Sequence, residues 1–433
     1  MRSSALSRLR TLRYSCGFGA ALLAAVTPVR VQAAGFDTPI LYTARHQAMG
    51  GTAIASVDDP SAGFHNPAGL QGVRGYGFIG DFSLILGKVR ATPDKNVGSL
   101  ESSTVKAPFF LLGGAYRVHE WLTVGLAGFP VASGGAEYHY ELARKNIIDN
   151  TEIVFFEVTP MLSLNVPKDR WLPGKLAVCA GYRCSYVTFD REKGEPSNLQ
   201  LLDLKLKGFD ALGFRLGAQW APIDALKLGV VYRNPVTVTT KADTATVIRF
   251  PATQAALDFN LPSKLGFGTR VDLGDFGFAN DVELAFQSQN KRPALEGYLP
   301  GARDKNKVPN VFDWKDGITW RTGLEYRLGK DPMIPLRVGY IFDSRVTNPS
   351  YPSAFGTPPG ATRTFTAGLG FVKPTWQINL AVTRRYGEGY VPAADLPDSS
   401  LANPDGCSFC GFGGPYEITM TGVYIDASIN LPK

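Results

Sequence analysis

Beyond Ala33 the chain has no apolar run approaching the roughly 18 residues that a membrane-crossing helix needs, which excludes a helical membrane protein. Histidine is scarce: His46, His65, His119 and His139 are scattered without metal-ligand spacing, so no metal and no other cofactor is expected. No grouping of Ser with His and Asp stands out, and no enzymatic activity is expected. Charge of one sign is also missing. The formal charge is +7, but Arg2, Arg8, Arg10, Arg13 and Arg30 precede Ala34 and no acid does. The remainder carries 40 Lys and Arg against 38 Asp and Glu, a balance of +2 that gives no reason to expect nucleic acid as a partner.

What is present begins with an export signal. The four arginines up to Arg13 form a charged start, an apolar stretch runs from about Cys16 to Val26, and Val31-Gln32-Ala33 offers a small-residue cleavage site. The cut is placed after Ala33, with Ala34 as the near alternative. Three parts are expected: a signal at 1–33, an N-terminal hatch at 34–73 and a strand-rich body at 74–433. The body draws on 47 Gly, 30 Pro and 11% aromatic residues at a mean hydropathy of -0.05. Many short strands facing lipid on one side and a lumen on the other have such a composition.

Strands are predicted at 75–86, 107–117, 121–131, 152–166, 175–189, 209–221, 226–239, 256–272, 276–288, 317–328, 334–347, 362–373, 375–387 and 415–431. Period-two alternation carries the reading. Phe276, Phe278, Asn280, Val282, Leu284 and Phe286 fall on one face, opposite Gly277, Ala279, Asp281, Glu283, Ala285 and Gln287. Leu336, Val338, Tyr340 and Phe342 likewise oppose Arg337, Gly339, Ile341 and Asp343. Connections alternate between short turns, such as Leu273-Gly274-Asp275, and long loops at 87–106, 132–151, 190–208, 240–255, 289–316, 348–361 and 388–414. Short turns on one side, long loops on the other and an even strand count describe an all-β protein, an antiparallel transmembrane barrel of about 14 strands in a bacterial outer membrane. Its partners would be outer-membrane lipid and a small molecule. A lumen that wide needs filling, and the 34–73 segment is available to plug it.

Within that segment, Asp58 or Asp59 suits the cap of a short helix starting near Pro60. Asn66-Pro67-Ala68 reads either as a turn that anchors the hatch or as a ligand contact. Arg183, Arg321 and Arg337 share the predicted inner face with Asp281, Glu283, Glu325 and Asp343. They would form a polar lining network or bind a carboxylate ligand bidentately. Cys407 and Cys410, in the last long loop, suit a loop-stiffening disulfide. Cys179 and Cys184, of opposite strand parity, should not pair with each other.

The start Ala34-Gly35-Phe36 and the run Phe64-His65-Asn66-Pro67-Ala68-Gly69-Leu70 resemble the FadL/TodX family of outer-membrane transporters for long-chain fatty acids and aromatic hydrocarbons. Trp314-Lys315-Asp316, Arg321-Thr322-Gly323-Leu324-Glu325-Tyr326, Leu336-Arg337-Val338-Gly339-Tyr340 and Leu261-Pro262-Ser263-Lys264 are similar to that family's barrel strands. The resemblance implies a monomeric fourteen-strand barrel, passive uptake of a hydrophobic ligand, and exit sideways through the wall. It also implies that Phe36 lies beside the ligand. Ala48-Met49-Gly50-Gly51 suits this function and one alternative, a barrel of the same fold serving as a protein-binding adaptor in secretion or surface attachment.

Overall fold

The structure is a computed structural model, and it describes residues 41–167, 170–195, 199–247, 249–352, 359–397 and 410–432. Phe36, Cys407 and the expected export signal lie outside those residues. Fourteen antiparallel strands close into a barrel: β1 Gly75–Ala91, β2 Val105–His119, β3 Leu122–Leu142, β4 Lys145–Val166, β5 Lys175–Glu195, β6 Leu199–Ile223, β7 Leu226–Arg233, β8 Lys264–Leu273, β9 Phe276–Ala285, β10 Gly317–Leu328, β11 Ile334–Asp343, β12 Thr362–Val372, β13 Trp376–Val391 and β14 Gly414–Pro432. Each strand pairs with its neighbours in the chain, and β1 closes the ring on β14 from Gly75↔Pro432 to Arg90↔Glu417. Closure pairs the first strand with the last, so the sheet has no terminal edge facing hydrocarbon.

The alternation decides which face meets lipid. Phe78, Phe82, Leu112, Leu336 and Val382 are exposed, whereas Asp81, Ser83, Arg183, Asp281 and Arg337 are buried inside. Aromatic contacts mark both rims of the lipid-facing band. At the short-turn end, Tyr76 stacks on Tyr116 at 4.8 Å and Phe371 on Trp376 at 5.6 Å. At the other end lie Phe110–Phe156 at 6.0 Å and Trp320–Tyr340–Phe365 at 6.1 and 5.3 Å.

Several loops expected from sequence are paired strand instead. β3 and β4 run on to a tight turn at Ala143-Arg144, so 132–151 is a hairpin extension. The predicted loop 190–208 is largely the continuation of β5 and β6. The stretches read as single strands at 226–239 and 256–272 each divide in two. Pro235 and Pro262 cannot donate to a ladder, so a wall strand ends at Arg233 before Pro235, and a hairpin strand ends at Leu261 before the next wall strand starts at Lys264. Between them Val236–Val247 and Phe250–Leu261 form an extra hairpin, where a loop at 240–255 was expected. It continues the sheet beside the start of β6 through Leu202↔Val247 and Lys207↔Lys241. Ala294–Tyr298 and Asn306–Pro309 form a second small hairpin within 289–316.

Residues 41–73 lie against the inner face of the wall, folded as a short helix Ala44–Gln47 and two 3₁₀ turns, Pro60–Gly63 and Pro67–Gly72. Asp59 caps the first 3₁₀ turn by accepting from the Ser61 N–H at 2.8 Å. The segment comes close enough to touch strand backbone. Gly50, at φ +68, places its α-carbon against the carbonyls of Thr322 and Tyr340, where a Cβ would lie 2.6 and 2.8 Å away. The wall answers with glycines: Gly323, Gly339 and Gly368 face Met49, Gly50 and Ala48. Gly339→Val should therefore push the segment off β11 without opening the barrel. We expect heat-resistant migration of the folded barrel in gels, with protease cuts newly appearing in 41–73; an uncut segment would show that this contact does not hold it.

Candidate functional site

The hatch is held by side chains that the strand parity turns inward. Asp281 Oδ2, on β9, accepts from the Ala53 N–H at 2.7 Å and the Ile54 N–H at 3.0 Å. Asp426 Oδ2, on β14, accepts from the Arg45 N–H at 2.8 Å. Thr366, on β12, accepts from Gly50 N–H and donates to Ala48 O, both at 3.0 Å. Gln219 donates to Ile54 O and Val57 O at 3.1 and 3.2 Å. The bonds to Asp281 and Asp426 contribute about 1.5–3 kcal/mol each and the neutral ones about 1, so these pins outweigh the entropy of a short segment only because there are several.

Asn66 does more than shape a turn. Its Oδ1 accepts from the Ala68 N–H at 3.2 Å, capping Pro67–Gly72. Its Nδ2 reaches Ile54 O at 2.8 Å and two wall carbonyls, Ala218 O on β6 at 3.1 Å and Val230 O on β7 at 3.3 Å. Gly217 leaves the space for it. Pro67 lies against Gly181, and Ala68 against Ala177 and Cys179. Geometry thus places Asn66, Pro67 and Ala68 in anchoring contacts with the wall.

The three arginines picked from sequence do not converge. Arg183 is fully buried and committed: its Nε donates to Glu157 Oε1 at 2.8 Å and its Nη1 to Asn234 O at 2.7 Å. Arg337 donates to Glu325 at 2.7 Å and Asn379 at 2.7 Å, and lines a polar chamber toward the short-turn end. Only Arg321 lines the central cavity, where its Nη2 meets Glu283 at 3.3 Å. There it joins Arg215, Arg233 and Lys264, which sequence reasoning passed over. Their inward parity on β6, β7 and β8 was a usable signal. The cavity lining holds these four cations against two carboxylates, Asp281 and Glu283, with Leu41, Ile54, Phe64, Val131 and Val231 as its apolar part. At about 50 Å³ it admits a few waters and no acyl chain.

An apolar interior rises from this cavity through Phe155, Val187, Phe189, Leu204, Leu206, Val238 and Leu257, with Phe259 in ring contact with Phe189 at 4.7 Å and Phe155 at 6.4 Å. Much of it comes from the extra hairpin and the strand extensions. Sideways from the cavity the wall itself is interrupted. β2 and β3 pair only from His119↔Leu122 up to Leu112↔Gly128. Above that rung β3 bulges at Pro130–Ala132, and the strands meet again only at Ser103 N–H to Glu137 O, 2.8 Å. A window of about 330 Å³ lies between, lined by Ala107, Pro108, Phe109, Pro130 and Ser133 among others. Tyr42, Phe64 and Phe129 separate cavity from window, with ring centroids 5.1–6.1 Å apart, and the Tyr42 hydroxyl donates to Pro130 O at 2.7 Å.

The cysteines behave as parity requires. Cys179 and Cys184 are free, one buried inside and one on the outer face. Cys410 is disulfide-bonded, and its partner falls outside the described residues. No group of three or more metal-ligating side chains occurs among the described residues.

The family described as outer membrane protein transport protein (OMPP1/FadL/TodX) matches residues 24–390. No curated protein matches the chain. Among solved structures, a Pseudomonas aeruginosa FadL homologue superposes with a TM-score of 0.72 at 15% identity, covering 92% of this chain and 100% of its own. The Pseudomonas putida toluene transporter TodX gives 0.65 at 15%, covering 91% and 99%. The Ralstonia pickettii toluene transporter TbuX gives 0.63 at 15%, covering 90% and 98%.

Burial shifts three titrating groups of the hatch that bear on its response to acid. Burial drives His65 down to about 3, although its Nε2–H donates to Tyr42 O. Burial, then the neighbouring His65 ring at 5.0 Å, pulls His46 well below its usual value. Burial pushes Asp59 up to about 6. A histidine with a depressed pKa takes up protons on unfolding, so its stabilisation is lost as pH falls below about 6.5. Asp59 works the other way, favouring the docked hatch as pH falls from about 6 to 4. Two histidines oppose one aspartate. Protease cleavage within 41–73 should therefore rise between pH 6.5 and 4, and a His46→Gln/His65→Gln variant should lose that rise; cleavage independent of pH would contradict this assignment.

Proposed function

Because the chain belongs to the OMPP1/FadL/TodX family of outer-membrane transport proteins, we propose that it takes up hydrophobic small molecules passively, with long-chain fatty acids preferred over neutral aromatic hydrocarbons. The observation that carries the preference is the cation surplus of the central cavity beneath an apolar interior. A carboxylate head group would complete the charge balance of Arg215, Arg233, Lys264 and Arg321, and its chain would lie among Phe155, Phe189 and Phe259. Toluene offers those cations only a ring face and no charge to balance them. The solved relatives that are toluene transporters share the fold at 15% identity, which leaves the ligand of this chain to its own residues.

Transport in this reading is downhill and needs no energy source. The ligand moves from the apolar interior to the cation cavity, displaces Leu41 and Phe64, and leaves through the window between β2 and β3. That window borders the Phe110–Phe156 contact, at the rim of the lipid-facing band. Strand edges left unpaired there face a route for ligand rather than intact hydrocarbon. A polar head thus never has to cross the wall's lipid-facing band in full. Phe36, which precedes the described segment, remains the proposed apolar contact at the ligand.

A fluorescent long-chain fatty acid titrated into the folded, delipidated barrel tests this. Binding should saturate, oleate should displace the probe, and toluene should compete at least tenfold less well. Arg321→Gln should weaken the probe by roughly tenfold, the worth of one charge-assisted contact. Ala107→Trp, in the window, should leave binding intact and slow uptake by cells. Equal competition by toluene would assign the aromatic class instead, and absence of binding would remove the transport reading.

A further inference from the structure

The lipid-facing rows of β12 and β13 carry two arginines that no carboxylate among the described residues neutralises. Along β13 the exposed row runs Ile378, Leu380, Val382, Arg384 and Tyr386; along β12 it runs Leu369, Ala367, Phe365 and Arg363. Phe365 stands directly across from Arg384, and Arg363 across from Tyr386, so the guanidinium groups are diagonal neighbours on adjacent strands. They begin at the Trp320–Tyr340–Phe365 contacts and continue toward the long-loop end, which puts them at the outer-leaflet rim.

Arg384 is held in place. Its Nε donates to the Tyr386 hydroxyl at 3.0 Å, its Nη1 to Thr421 Oγ1 at 2.5 Å, and its guanidinium lies 5.0 Å from the Tyr386 ring centroid. Its Nη2 has no partner among the described residues, and the Arg363 side chain has no hydrogen bond or ion pair there. The contrast with neighbouring cations is informative. Lys88 pairs with Glu101, and Arg90 with Glu417 at 3.1 Å. Glu388, the nearest carboxylate along β13, faces Glu417 across the next strand and forms no ion pair with either arginine.

A cation on a lipid-facing row is costly unless it lies at the interface and finds an anion. Two planar guanidinium forks, one already oriented by a tyrosine and a threonine, fit the oxygens of a phosphate monoester or diester. We propose that Arg363 and Arg384, with Thr421 and Tyr386, form a site on the outer wall for the phosphate of an outer-leaflet lipid. The occupant is the phosphorylated saccharide lipid of that leaflet, bound at its glycosyl phosphate. The proposal rests on the outer-membrane location and is independent of which ligand the lumen takes.

The test uses the full-length folded barrel in one detergent. Lipopolysaccharide retained on the wild type and on Arg363→Gln/Arg384→Gln is measured by native mass spectrometry. The wild type should hold about one lipid, the double variant should bind it at least tenfold more weakly, and dephosphorylated lipid should fail on both. Arg363→Lys/Arg384→Lys, which keeps charge but not the fork, should fall between. Heat-resistant migration and unchanged fatty-acid probe binding establish that the variants are folded, and the lipid readout stands whatever the probe result. Equal retention by wild type and double variant, or undiminished binding of dephosphorylated lipid, would overturn the site. Protection by inorganic phosphate without retention of the lipid would overturn the assignment of its occupant.

Discussion

Hydrocarbon offers no partner to a backbone N–H or C=O, and every other feature of this protein follows from that constraint. It forces the fourteen strands to close from β1 through β14. Closure at fourteen strands makes a lumen that wall side chains cannot fill. The lumen is then filled by the chain's own N-terminal segment, which needs its own backbone groups satisfied. Asp281, Asp426, Thr366, Gln219 and the Asn66 carboxamide do so. The same inward rows supply glycine where backbone must approach backbone and polar side chains where N–H groups must be met.

The break between β2 and β3 is therefore informative. Between β2 and β3 the ladder stops at Leu112↔Gly128, and the Pro130 bulge carries β3 away from its neighbour. Inside it stand Tyr42, Phe64 and Phe129, which tie the hatch to the bulge through Tyr42 and Pro130 O. In the proposed route, displacing the hatch near Leu41 also displaces the barrier at the window, so cavity, hatch and window would act together.

Much of this was legible in the sequence. The alternation of Phe276 to Ala285 gave both faces of β9, Asp59-Pro60 marked the 3₁₀ turn that starts at Pro60, and Asn66-Pro67 marked a turn that the structure shows as a second 3₁₀ turn. Cys179 and Cys184 obeyed parity. Boundaries were less legible, because hydrophobic alternation continues past the membrane: Val236, Val238 and Thr240 repeat the wall pattern in a hairpin that stands beyond it. Pro235 and Pro262 held the correction. The cation cavity was hidden for a different reason. Arg215, Arg233, Lys264 and Arg321 lie on four strands, and only register brings them to one height; parity shows that each points inward, not that they meet.

In the proposed account the segment ending at Val73 closes the barrel, and the ligand route is apolar and lateral. Planar-bilayer conductance of the intact barrel and of one lacking 34–73 tests it most directly. The account predicts an intact barrel that passes almost no current and a shortened one that conducts steadily. A shortened barrel that is folded yet silent, or an intact barrel that conducts as well as the shortened one, would contradict it.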